Sequence, residues 1–208
     1  MSLIYLHGFA SGPMSKKAQF FRRRFEEIGV EMQIPDLSEG DFERLTISSQ
    51  LRVIERIAGG ADVRLIGSSM GGYLAALYAA RHPEVSRVVL LAPAFGFARR
   101  WPLLLGAGKV AEWRRTGWLP MYHYGDQMER RVGYELLSDA EGYEDYPDVS
   151  QPALIFPGRD DDVVPCEYAR EFAKLHPQVT LRVMESGHEL LNVLEEMWME
   201  IHRFLLKM

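Results

Sequence analysis

In the stretch Gly67-Ser68-Ser69-Met70-Gly71, a serine hydroxyl stands between two glycines, each two residues away. A hydroxyl becomes an acyl-transfer nucleophile when a base takes its proton and its backbone holds the oxygen clear of the chain. That needs a sharp turn in which the serine backbone is strained, and a side chain at either glycine would strike the neighbouring turn. Ser69 is therefore the candidate nucleophile. Choosing Ser68 would put Met70 where a small residue is needed and leave Gly71 without a role.

Such a serine needs a base, and the base needs a carboxylate that fixes its tautomer and stabilises its protonated form. His188, in Glu185-Ser186-Gly187-His188, follows an apolar run and precedes a long helical pattern, the place for a general base. Three adjacent aspartates, Asp160 to Asp162, offer the carboxylate, and the spacing Gly-x-x-Asp-x-x-Val-Pro selects Asp161, with Asp162 as the alternative. A metal site is the competing use of this acidic run, but it lacks calcium-loop spacing and has no adjacent His or Cys. For the developing oxyanion, backbone amides are needed. Phe9, in His7-Gly8-Phe9, and Met70, just after the nucleophile, are the candidates, and His7 is read as a brace for its own loop.

The elements that must position these residues alternate. Apolar runs at 2–6, 30–35, 63–66, 85–93, 153–156 and 179–184 read as strands. Helical spacing covers 15–28, 42–58, 72–81, 166–176 and the C-terminal stretch from Leu190, with Gly29 and the pair Gly59-Gly60 as stops. This rhythm predicts a doubly wound, mainly parallel α/β sheet of about six strands, whose ligands bind at the C-terminal strand ends. His7, Ser69 and Asp161 all fall at such ends. Residues 95–149 break the rhythm and are rich in Trp, Tyr, Phe and Leu, which predicts a largely helical cap inserted in a single domain, 1–208, and lying over Ser69. Within it Trp101, Trp118 and Tyr122 are the candidate substrate-binding residues, although most of its apolar residues are expected to pack the cap onto the body. Arg99, Arg100, Arg114 and Arg115 read as solvated helix faces, and His123 as a cap residue. In the run Arg22-Arg23-Arg24, a solvated face with one inward packing stem is expected.

At 208 residues the chain can bury a core without disulfide or metal staples, and its net charge of −5 argues against a nucleic-acid surface. The single Cys166 forms no internal disulfide and, with no targeting segment or membrane-length apolar run in view, the expectation is a cytoplasmic protein.

The chain order Ser69, Asp161, His188 is that of the α/β-hydrolase triad, and nearly the whole chain resembles that superfamily. The opening Leu6-His7-Gly8-Phe9-Ala10-Ser11-Gly12-Pro13, with Lys17-Ala18 behind it and Gly67 to Tyr73, is similar to small bacterial esterases of the YqiA type. The Gly117-Trp118 segment and the Asp161 and His188 turns look more like the acyl-protein thioesterase and acyl-glucuronide esterase group. In departure from many members, two leading strands are missing, since the chain begins on the His7-Gly8 strand. The resemblance implies a serine hydrolase acting on a small-molecule carboxylic ester or thioester through an acyl-enzyme, with no cofactor, no metal and no nucleic-acid partner. A ligand- or partner-binding protein on the same fold is the rival from another class. Peptidase and acyltransferase chemistry are rivals within the same triad.

Overall fold

The computed structural model describes residues 1–59 and 62–206. In chain order its elements are β1 (Ser2–Leu6), α1 (Lys16–Glu26), β2 (Met32–Gln33), α2 (Ile47–Ala58), β3 (Val63–Ser68), α3 (Met70–Ala79), β4 (Val85–Leu91) and α4 (Phe97–Leu105). There follow α5 (Ala107–Thr116), β5 (Trp118–His123), β6 (Met128–Gly133), α6 (Glu135–Ala140), β7 (Ala153–Phe156), α7 (Cys166–Leu175), β8 (Val179–Leu181) and α8 (Leu194–Leu206).

Six of the strands form one sheet in the order β2-β1-β3-β4-β7-β8, with every neighbouring pair parallel. Alternation within each strand divides its apolar side chains between two cores. Ile4, Leu6, Leu65, Val88, Leu90 and Ile155 face α2, α3 and α7. Leu3, Tyr5, Ile66, Val89, Leu91, Leu154 and Phe156 face α1 and α8. A strand covered on both sides must be apolar on both sides, which is why these runs lack polar alternation. The same reasoning applies to α3, whose ten residues are all buried: a helix apolar all round belongs inside. The register aligns Leu6 with Gly67, Ser68 with Leu91 and Leu91 with Phe156, so β1, β3, β4 and β7 end level. Their C-terminal loops therefore meet along one edge.

Several expectations are corrected. The helix read over 42–58 is a 3-10 turn at Phe42–Arg44 followed by α2, because Leu45 is extended and Thr46 caps the helix in a reciprocal hydrogen-bond pair with Ser49. Gly59 follows the last turn as expected, while Gly60 lies outside the described residues. The strand read over 30–35 pairs only at Met32 and Gln33 on the sheet edge. That read over 179–184 pairs at Val179 to Leu181, with one further bridge between Met184 and Gly158.

The largest difference is in the insert. Residues 95–149 hold the three helices α4, α5 and α6, as a largely helical cap requires, but also an antiparallel hairpin of β5 with β6 that was not expected. The hairpin's face is supplied from elsewhere in the insert: Trp113 of α5 is fully buried, and its indole N–H donates to the Val132 carbonyl at 3.0 Å. Strand residues half exposed along most of their length give little periodicity to read. The insert is tied to the body by Ser48, whose amide and hydroxyl both donate to Asp139, and by Tyr73, whose hydroxyl donates to the Glu144 carbonyl at 2.8 Å.

Removing the indole at the centre of this unit tests how far the insert depends on it. Trp113→Ala is expected to destabilise the protein by about 3–5 kcal/mol, read as a lowered urea midpoint.

Candidate active site

Ser69 sits between β3 and α3 at φ 53° and ψ −116°. A positive φ at a residue with a Cβ is sterically costly and survives only where the surroundings enforce it. Here its amide donates to the Leu91 carbonyl at 2.8 Å, and its carbonyl accepts from the amides of Gly72, Tyr73 and Ala94. The flanking glycines are required by contact. A Cβ at Gly67 would lie 2.2 Å from the Gly71 carbonyl oxygen, and a Cβ at Gly71 would lie 2.1 Å from that of Leu6. The turn thus lies directly on the end of β1. Ser68, by contrast, is buried.

The structure brings Ser69, His188 and Asp161 into one hydrogen-bonded chain. The Ser69 hydroxyl donates to His188 Nε2 at 3.0 Å, and His188 Nδ1–H donates to Asp161 Oδ2 at 2.8 Å. The other carboxylate oxygen, Oδ1, accepts from the amides of Val163 (2.9 Å) and Val164 (2.7 Å), so Asp161 is held by its own loop. Its side chain is 0% exposed, against 14% for His188. Asp160 and Asp162 point to solvent, and no group of three or more metal-ligating side chains occurs among the described residues. The loops carrying Asp161 and His188 are fastened to each other by Arg159 N–H to the Met184 carbonyl and Asp160 N–H to the Ser186 carbonyl, with Gly158 packed on Gly187.

On the opposite side of Ser69 lies the loop after β1, close enough that a Cβ at Gly8 would be 3.4 Å from the Ser69 Cβ. Phe9 belongs to this loop, and Met70 is the first residue of α3, whose amide has no acceptor within the helix. His7 is buried and braces the loop. Its Nε2 accepts from the Leu37 amide at 3.2 Å, while Nδ1–H donates to the Gly8 carbonyl at 3.0 Å. Burial holds its pKa below the ordinary histidine value, against smaller opposing effects of the Gly8 bond and Asp36. His123 lies in the insert, as expected, and is buried there. Its Nδ1 accepts from the Asp126 amide, and its pKa is lowered, chiefly by burial.

The three aromatic candidates separate. Trp101 lies edge-on to Phe9 at 5.2 Å and to Trp113 at 5.3 Å, so it reaches the loop beside Ser69. Trp118 is covered by the Arg131 guanidinium at 4.4 Å, and Tyr122 lies against Tyr124.

Two residues near the site escaped the sequence reading. Arg100, expected on a solvated face, is buried: it donates to the Val163 carbonyl beside Asp161 and lies over the Tyr168 ring. Lys17 is buried as well, its pKa lowered by burial and partly restored by Glu189 and Asp161. Their signal was spacing. Lys17 stands four residues before the buried Phe21, and Arg100 three after the buried Phe97.

Comparison with known proteins follows the geometry. Residues 2–205 match an uncharacterised protein family, UPF0227. A protein of Agrobacterium vitis S4 carrying a provisional hydrolase designation is 26% identical and superimposes with a TM-score of 0.84, over 98% of this chain and 87% of that one. Mouse alpha/beta hydrolase domain-containing protein 10 is 19% identical, with a TM-score of 0.78 over 97% and 90% of the two chains. The monoacylglycerol lipase of Paleococcus ferrophilus is 18% identical, with a TM-score of 0.78 over 98% and 93%. These likenesses show the α/β-hydrolase fold.

Two outcomes are expected. Gly71→Ala, which drives a Cβ into the β1 backbone, should cost about 3 kcal/mol or more by urea unfolding. Because the His7 pKa is depressed in the fold, its neutral form stabilises the protein above the ordinary value of 6.5, and that contribution is lost as pH falls below it. The melting temperature should therefore decline more steeply below pH 6.5 in the wild type than in His7→Gln, which keeps an acceptor but does not titrate. Equal slopes would remove His7 from the account.

Proposed function

The chain belongs to the UPF0227 family and to the α/β-hydrolase superfamily, and on that premise we propose that it is a serine hydrolase of small carboxylic esters or thioesters working through an acyl-enzyme. The observation that carries this reading is the continuous hydrogen-bonded path from the Ser69 hydroxyl through His188 to the buried Asp161. A buried carboxylate aimed at one imidazole nitrogen leaves the other free to accept the serine proton, which is the requirement for general-base activation.

In the proposed cycle the Ser69 oxygen adds to the acyl carbonyl carbon while its proton passes to His188 Nε2. The charge that develops on the carbonyl oxygen is met by the Phe9 and Met70 amides. The tetrahedral intermediate collapses, the bond to the leaving oxygen or sulfur breaks, and His188 gives its proton to the departing alcohol or thiol. Water then attacks the acyl-enzyme with His188 again taking a proton. The carboxylic acid leaves and the Ser69 hydroxyl is restored. None of these steps calls for a metal or cofactor. Asp161 orients His188 and stabilises its protonated state throughout.

Trp101 is assigned to the substrate wall because its ring reaches Phe9, whereas Trp118 and Tyr122 are assigned to the packing of the hairpin. The monoacylglycerol lipase among the structural relatives lends weight to an acyl ester as substrate. No helix among the described residues is long and apolar enough to cross a membrane. A free, buried Cys166 is compatible with a reducing compartment, and the reading includes the cytoplasm.

The test is a panel of p-nitrophenyl acyl esters of rising chain length, with matched thioesters. Wild type should turn them over, and Ser69→Ala should lose on the order of 10⁶-fold in kcat if the triad acts as a unit. Equal rates in the two proteins would remove the mechanism. A protein that neither hydrolyses the panel nor is labelled at Ser69 by a fluorophosphonate would be a binder on a hydrolase fold.

A further inference from the structure

The loop after β1 is held in an unfavourable shape by a segment far away in sequence. Ala10 has φ 52° and is almost fully buried. A residue with a Cβ keeps such a conformation only where its surroundings impose it. What holds it lies at the tip of the β5–β6 hairpin. The Tyr124 amide donates to the Ala10 carbonyl at 2.8 Å, across more than a hundred residues of chain. Beside this bond the two backbones are nearly in contact, for a Cβ added at Gly125 would lie 3.5 Å from the Gly12 nitrogen. Tyr124 is 73% exposed, so the attachment is made by main chain and not by burial of the side chain.

The same tip also supports the Phe9 ring. His123, whose Nδ1 accepts from the Asp126 amide and so shapes the turn, meets Phe42 edge-on at 4.7 Å. Phe42 meets Phe9 at 5.3 Å, and on its other side Phe9 meets Trp101 of α4 at 5.2 Å. Phe9 is thus held through its side chain by Phe42 and Trp101, and through the next residue's carbonyl by Tyr124. Its neighbour Gly8 lies against Ser69.

We propose that the hairpin tip is the positioning element of the oxyanion site: the Tyr124 amide fixes the Ala10 peptide and thereby aims the Phe9 amide at the carbonyl oxygen attacked by Ser69. This rests on the assignment of Phe9 as an oxyanion donor in the preceding reading. The insert then does more than roof the site. It completes the catalytic geometry, and an oxyanion donor counts only when it stands within hydrogen-bond reach of the position the charged oxygen takes up. Such an interaction is expressed in the transition state and not in substrate binding, so its loss lowers kcat and leaves KM nearly unchanged.

Two variants separate positioning from simple support. Tyr124→Pro deletes the donor. Gly125→Ala keeps every hydrogen bond but sets a methyl 3.1 Å from His123 Cε1, crowding the ring that bears on Phe42 and through it on Phe9. Each is assayed with p-nitrophenyl acetate, and rates are expressed per serine labelled to completion by a fluorophosphonate. Affinity for phenylboronic acid, which forms a tetrahedral adduct on the serine, is measured alongside. Tyr124→Pro should lose about 10²- to 10³-fold in kcat per labelled site, with KM within a few-fold of wild type and boronate affinity falling in parallel. Gly125→Ala should lose about tenfold, a fraction of the penalty for a misplacement of about 1 Å. If Tyr124→Pro does not fold, Gly125→Ala decides by the same measures. Lowered melting temperatures with wild-type kcat per labelled site and wild-type boronate affinity would reduce the contact to a structural one and overturn the proposal. Wild-type protein that is neither labelled nor active would overturn the hydrolase reading first, and this proposal with it.

Discussion

A serine backbone held at φ 53° is the constraint around which the remaining structure is arranged. The conformation is unfavourable for any residue with a Cβ, so it must be imposed from outside. Four main-chain hydrogen bonds at Ser69 and two glycine contacts impose it, and all of them need β1, β3 and β4 to end at the same level. The parallel register is therefore a condition for the turn. It also fits the burial of α3 on every side, since a helix leaving such a turn starts with Gly71 and Gly72 against neighbouring backbone and runs beneath the insert, to which Tyr73 is hydrogen-bonded.

Three separate stretches of chain converge on that serine, and each is fixed by its own local device. Asp161 is held by two amides of its own loop, and that loop is fastened to the one carrying His188 by backbone bonds. Arg100, reaching from α4 to the Val163 carbonyl, links the insert to the Asp161 loop, while the hairpin tip links it to the loop after β1. The insert thus touches the loops on both sides of Ser69. That arrangement suits a site in which polar groups must stand still while charge develops, because preorganised dipoles need no rearrangement during reaction.

Much of this was legible in residue order. The strand runs, the elbow with its two glycines, one inward stem in the run Arg22 to Arg24, which the structure assigns to Arg24 at 5.3 Å from the Trp198 ring, and the bracing of a loop by His7 are local or periodic features. Segments whose state depends on a distant partner were misread. The hairpin of β5 and β6 looked helical because its strands are half exposed and its face is covered by Trp113 of another element. The helix expected over 42–58 breaks at Leu45 because Thr46 and Ser49 cap each other, a side-chain pairing that apolar spacing does not register. Arg100 passed for a surface charge because nothing in its neighbourhood in sequence announces Val163.

By itself, the sequence determined the class of fold and singled out the candidate residues for chemistry. Hydrophobic periodicity, glycine placement and the types of side chain at strand ends are properties of single segments. The tertiary structure alone decided how those residues meet. It carried the Arg100 guanidinium to the Val163 carbonyl and set the Tyr124 amide against Ala10. Each of these is a contact between segments far apart in the chain, made through backbone groups that every residue carries or through burial that only packing creates. Such contacts leave no pattern in the order of the residues that make them.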